Sequence, residues 1–183
     1  PEINQSGNYF INPLTDLDNN CYLIKSPYSD KEHFVLEYRK HTGIYDTNLP
    51  GNNNGLLIYR INLDINRNNI IDTLENEGGW PIGGNADGPP DEVYVYRGGG
   101  TLETNGNIYT SMYSTQSGRT EISDNTSPSS FLSDGMPGGL NISNIGFPSE
   151  AIEFTCILQC SNTVLGDINL DDEVDILDIV IAI

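Results

Sequence analysis

The sequence predicts a mainly β protein, a β-sandwich of short antiparallel strands, with a single short helix near its C-terminal end. Two observations predict the strands. Short runs rich in Val, Ile, Tyr and Phe recur along residues 1–160, and clusters of Gly, Pro, Asn and Asp separate them. A third observation limits the helix: apolar residues take up a helical period only after Asp175.

In chain order, the expected strands are Asn20–Lys25, His33–Arg39, Gly55–Asn62, Glu92–Arg97, Leu140–Ile145 and Ala151–Leu158. Turn clusters such as Leu49-Pro50-Gly51-Asn52-Asn53-Asn54 part them. Asn76 to Pro90 reads as a long Gly/Pro loop, and Ser114 to Pro137 as a second, rich in Ser and Thr. Many short strands with polar turns favour a sandwich. The organisation expected is therefore a β-sandwich domain over 1–160, a linker over 161–165 and a small separate unit over 166–183.

Composition narrows the function. The 183 residues carry 26 Asp and Glu against 8 Lys and Arg, a net charge of −18. Phosphate binding needs a basic face, so nucleic acid is not an expected partner. No run approaches the roughly 18 apolar residues of a membrane helix. Pro1 opens without an initiator Met or a signal peptide, and Ile179-Val180-Ile181-Ala182-Ile183 stops inside an apolar run, so the chain reads as a piece of something longer. Cys21, Cys156 and Cys160 lack zinc-knuckle spacing. One disulfide, Cys21–Cys156 or Cys21–Cys160, with a leftover thiol is the simple expectation for a secreted chain; three separate buried thiols is the alternative.

Two stretches space their Asp, Asn and Glu residues as a calcium loop does. A calcium ion is a hard cation that takes six to eight oxygens, and a 12-residue loop of the EF-hand type wraps them around it from positions 1, 3, 5, 7, 9 and 12. Residues 64–75 meet this pattern with Asp64, Asn66, Asn68, the Ile70 carbonyl, Asp72 and Glu75, and Ile71 supplies the apolar residue usual at position 8. Asn69 stands where Gly is usual and tolerates the same left-handed backbone. Residues 167–178 repeat the pattern with Asp167, Asn169, Asp171, the Glu173 carbonyl, Asp175 and Asp178. Six carboxylates within that second loop repel one another until a cation joins them, so calcium is expected to act as a folding partner there.

The run Gly166-Asp167-Ile168-Asn169-Leu170-Asp171-Asp172-Glu173-Val174-Asp175-Ile176-Leu177-Asp178-Ile179-Val180 resembles the first repeat of a type I dockerin, a two-repeat module that binds cohesin domains; one repeat is present here. Over about residues 5–157 a second resemblance appears. Glu32-His33-Phe34-Val35-Leu36-Glu37-Tyr38-Arg39, then Gly43, Asp46 and Leu49-Pro50-Gly51, then Gly55-Leu56-Leu57-Ile58-Tyr59-Arg60-Ile61-Asn62 resemble the region after the catalytic core of immune-inhibitor-A-like secreted metalloproteases. Gly139–Ile145 and Ile152-Glu153-Phe154 fit that region's closing strands. The resemblance implies a β architecture, secretion and calcium. It implies no catalytic role for this chain, because that family's zinc site is His-Glu-x-x-His, whereas His33 and His41 lie eight residues apart and neither is followed by Glu.

Weaker signals point to structure. Glu37 and Arg39 share a strand face and read as an ion pair. Arg97-Gly98-Gly99-Gly100 reads as a turn, since it lacks the Lys-Ser/Thr ending of a phosphate loop. Asp87-Gly88-Pro89-Pro90-Asp91-Glu92 is a candidate third ion site. Trp80 reads as a loop anchor or a sugar-stacking ring. The sequons at Asn4, Asn125 and Asn141 are about as many as this composition produces by chance. No Gly-x-Ser-x-Gly elbow occurs. The expected role is a non-catalytic, calcium-binding, extracellular structural or accessory module. The alternatives are a self-assembling fibre or surface-layer subunit docking copies through its apolar tail, and a carbohydrate-binding module using Trp80 and nearby tyrosines.

Overall fold

The computed structural model describes residues 1–42, 46–62 and 91–159. Among these residues seven strands form two antiparallel sheets: β1 (Gly7–Ile11), β2 (Cys21–Lys25), β3 (Glu32–Arg39), β4 (Gly55–Asn62), β5 (Val93–Val95), β6 (Ile142–Ser143) and β7 (Ile152–Cys156). One sheet has the order β1-β7-β6 and the other β2-β3-β4-β5. The mainly β expectation holds, with two sheets sharing one core. The five expected runs from Asn20 onward that border β2 to β6, and the sixth at β7, all coincide with strands, several of them shorter than expected.

β3 shows why the chain folds this way. Alternate residues point to opposite faces of a strand, and in β3 the inward set Glu32, Phe34, Leu36 and Tyr38 is buried while the outward set is half-buried. β4 packs Leu56, Ile58, Arg60 and Asn62 inward beside it. From the smaller sheet Ile11, Ile142, Ile152 and Phe154 enter the same core. The Tyr22 and Phe154 rings meet across the two sheets edge to face, with centroids 6.0 Å apart. Tyr38 then sends its hydroxyl through to the Ser149 carbonyl at 2.7 Å.

β1 is the strand the sequence does not announce. Its run is only Gly7-Asn8-Tyr9-Phe10-Ile11, and it exists because all five residues pair with β7. The Ser114–Pro137 stretch is irregular, as expected, yet it is no surface loop. Ser114, Ile122, Ser130, Phe131 and Leu132 are buried. Ile122 exchanges two backbone hydrogen bonds of 2.9 Å with Ile142, which covers the open edge of β6. The Asp124 carboxylate accepts from the Gly138 and Gly139 amides and the Ser130 hydroxyl, and so satisfies donors the loop would otherwise bury unpaired.

Candidate functional site

The connection from β4 to β5 carries the first acidic loop, and its root is well defined. Tyr59, Arg60 and Ile61 stand opposite Val95, Tyr94 and Val93. The Asn62 amide donates to the Glu92 carbonyl at 2.9 Å. The last residue of β4 and the residues that lead into β5 therefore stand side by side. The 64–75 ligand set (Asp64, Asn66, Asn68, Ile70, Asp72, Glu75) lies outside the described residues. So do Trp80, residues 87–90 of the third ion candidate, Cys160, the 161–165 linker and the 167–178 set from Asp167 to Asp178.

Beneath the root lies a buried polar network that sequence reading did not find. Arg60 is 0% exposed, and its Nε stands 3.3 Å from Glu32 Oε2. Its Nη2 donates to the Asp91 carbonyl at 2.8 Å. The guanidinium carbon lies 5.3 Å from the Tyr94 ring centre and 5.8 Å from that of Phe131. Glu32 in turn accepts from the Ser133 amide at 3.0 Å and hydroxyl at 2.8 Å, and Asn62 Nδ2 donates to Ser133 Oγ at 2.8 Å. Among the described residues Arg60 Nη1 has no hydrogen-bond partner, and Nε has only its ion pair with Glu32. A buried guanidinium is costly unless paired, so the network fixes the last residues of β4 and the first described residues of the return. The signal for it is a charged residue in register with the inward apolar positions of β3 and β4.

On the outer face of the larger sheet Arg39 grips Asp46 with two bonds, Nε to Oδ2 at 3.1 Å and Nη2 to Oδ1 at 2.6 Å. Its Nη1 reaches Glu37 at 3.1 Å, so the expected Glu37–Arg39 ion pair forms. Tyr59 donates to the same Glu37 oxygen region at 2.9 Å, and burial followed by the neighbouring Glu37 charge pushes its phenol well up. Cys21 shares this face, opposite Glu37. Cys156 is fully buried in the core. Both thiols are free, so of the two candidate bridges Cys21–Cys156 is not formed: one side chain lies on the outer face and the other points inward. Burial raises both thiol pKa values, that of Cys156 to about 11, which keeps them protonated and unreactive at neutral pH.

The two histidines serve separate places. His33 sits on β3 between Lys25 and Ile61. The His41 ring nitrogens lie 3.0 Å from Asn54 Oδ1 and 3.2 Å from the Leu49 carbonyl. The Arg97–Gly100 turn forms as expected, closed by the Gly100 amide on the Arg97 carbonyl at 2.9 Å. Among the described residues no group of three or more His, Cys, Asp and Glu gathers to hold a metal ion, and no helix is long and apolar enough to cross a membrane. No family model, curated protein or solved structure matches the chain.

Proposed function

We propose that this chain is a calcium-stabilised, non-catalytic accessory module of an extracellular protein, in which ions held by residues 64–75 and 167–178 stiffen the loops that carry them. The observation that carries this reading is the closed β4–β5 root. Both ends of residues 63–90 are held together by the Asn62–Glu92 bond and anchored from below through Arg60 and Asp91. A loop with its ends already joined has less chain entropy to lose when oxygens gather round a cation. The 64–75 spacing supplies those oxygens, and the net charge of −18 favours cation uptake. The resemblance to the post-catalytic region of secreted metalloproteases supports the accessory role and the extracellular setting, where calcium is millimolar.

Thermal melting in calcium and in chelator tests it. Calcium raises the melting temperature of the native chain, and the Asp64→Ala/Asp167→Ala double variant loses most of that rise. A full calcium response in the double variant sinks the assignment.

A further inference from the structure

We propose that the cleft between the 48–53 turn and Tyr109 is a binding site for a neutral oligosaccharide. This cleft has a volume of about 720 Å³ and is lined by residues 48–53 on one side and by Ile108 and Tyr109 on the other. None of these residues belongs to the 64–75 or 167–178 sets.

One wall is an exposed aromatic platform. Tyr109 is 66% exposed and Ile108 41%. They sit on a short 3-10 turn, Ile108–Thr110, whose start is fixed by Asn107: its side chain accepts from the Tyr109 amide at 3.0 Å and its carbonyl from the Thr110 amide at 3.0 Å. The ring is therefore presented on a rigid support.

The other wall is an Asn-rich turn, with Leu49 and Pro50 in it, held from three sides. Asn54 Oδ1 accepts from the His41 amide at 2.8 Å, the Asn54 amide donates to Gln116 Oε1 at 3.0 Å, and the Leu49 amide donates to the Asp46 carbonyl at 3.3 Å. Gly51 has φ +88°, and a Cβ there would lie 2.8 Å from the Tyr109 carbonyl oxygen. Only glycine lets the turn approach the platform this closely. Asn54 is thus consumed by the scaffold, whereas among the described residues the side-chain amides of Asn48, Asn52 and Asn53 have no hydrogen-bond partner.

Chemistry selects the ligand. Each amide offers a donor and an acceptor side by side, the pair that adjacent sugar hydroxyls require. An exposed aromatic ring packs against the C–H face of a pyranose. Among the described residues no charged side chain lines the cleft, and the chain as a whole is strongly negative, which disfavours uronic-acid and sulfated polymers. A preformed cleft with a few placed polar groups beside an apolar surface matches small-ligand sites generally.

The test is an amide NMR titration of the full chain with cellotetraose, xylotetraose, mannotetraose, maltotetraose and chitotetraose, each to millimolar concentration. At least one sugar is expected to shift resonances confined to residues 48–53 and 107–110. Tyr109→Ala, judged folded by its unchanged remaining spectrum, weakens that binding by roughly tenfold or more, and Tyr109→Phe retains it. Asn53→Ala gives an independent loss should Tyr109→Ala fold poorly. Phe10→Ala, an exposed aromatic on the smaller sheet, leaves binding intact. No shift with any of the five sugars, or shifts that survive in both Tyr109→Ala and Asn53→Ala, overturns the proposal.

Discussion

Arg60 and Glu32 meet inside the sandwich with Nε and Oε2 3.3 Å apart, one at 0% and the other at 6% exposure. The two are unequally supported. Among the described residues, Glu32 keeps two donors from Ser133 if Arg60 is removed, whereas Arg60 keeps the Asp91 carbonyl and two ring faces if Glu32 is removed. Removing one partner of a buried pair costs about 3–5 kcal/mol, because a charge is left without compensation. Glu32→Ala should fall in that range by urea denaturation. Arg60→Met, which fills the space with apolar atoms beside Tyr94 and Phe131, should cost less. Equal losses from the two variants would show that packing, rather than charge compensation, dominates the pair.

A second prediction concerns the contact between β4 and the loop after the 3-10 turn. Leu56 and Tyr113 exchange backbone bonds of 2.9 and 2.8 Å. The neighbouring Gly55 lies so close that a Cβ would stand 2.5 Å from the Tyr113 carbonyl oxygen. Gly55→Ala should separate the two segments and cost about 1–3 kcal/mol, the range for overpacking. Gly118→Ala is the control: it has φ +73° but nothing within 4 Å, so only about 1 kcal/mol of backbone strain is expected. Denaturant midpoints of the two variants check the order.

These positions also mark the limit of what the sequence discloses. The strands were legible wherever alternation was strong, as in Glu32–Arg39 and Gly55–Asn62. β1 was not, because its pairing with β7 is non-local and Gly7 and Asn8 dilute its pattern. The buried part of Ser114–Pro137 was illegible for a related reason: a Ser/Thr-rich stretch enters a core only when partners such as Asp124 satisfy its backbone, and spacing does not encode that. Glu32 and Arg60 each look like surface residues until strand register sets them side by side. The Tyr109 cleft joins two segments far apart in the chain, so neither half signals it alone.

Alkaline pH should unfold the protein earlier than its acidity suggests. Burial lifts the Cys156 thiol from 9.0 to about 11 and the Tyr38 phenol from 10.0 to about 12. A group whose pKa is higher folded than unfolded binds its proton more tightly in the native state. Its stabilisation is complete below the unfolded value and disappears as pH rises through the folded one. The window is therefore about pH 9 to 11 for Cys156 and about pH 10 to 12 for Tyr38. Tyr38 has an added reason, since its hydroxyl donates to Ser149 and a phenolate cannot. Urea midpoints followed from pH 8 to 12 should fall across this range, and Cys156→Ala should flatten the slope between pH 9 and 11 by about one proton. An unchanged slope in that variant would place the alkaline sensitivity elsewhere.

The closed root of the β4–β5 connection makes a prediction that separates fold from ion binding. Asn62 and Glu92 are already bonded, and β5 is in register with β4 from Ile61 outward. Replacing residues 64–90 by Asn-Gly leaves Leu63-Asn-Gly-Asp91 as the connection, a length hairpins commonly use, and keeps the Asp91 carbonyl for Arg60. Shortening a loop lowers its closure entropy by only about 0.6 kcal/mol per halving, so the sheets should survive with melting in chelator close to that of the parent. In calcium the shortened chain should take up one ion fewer by calorimetric titration and show a smaller rise in melting temperature. If it fails to fold even in chelator, residues 64–90 contribute to the core itself. If it folds and binds as many ions as the parent, the Asp64–Glu75 loop is not a calcium site.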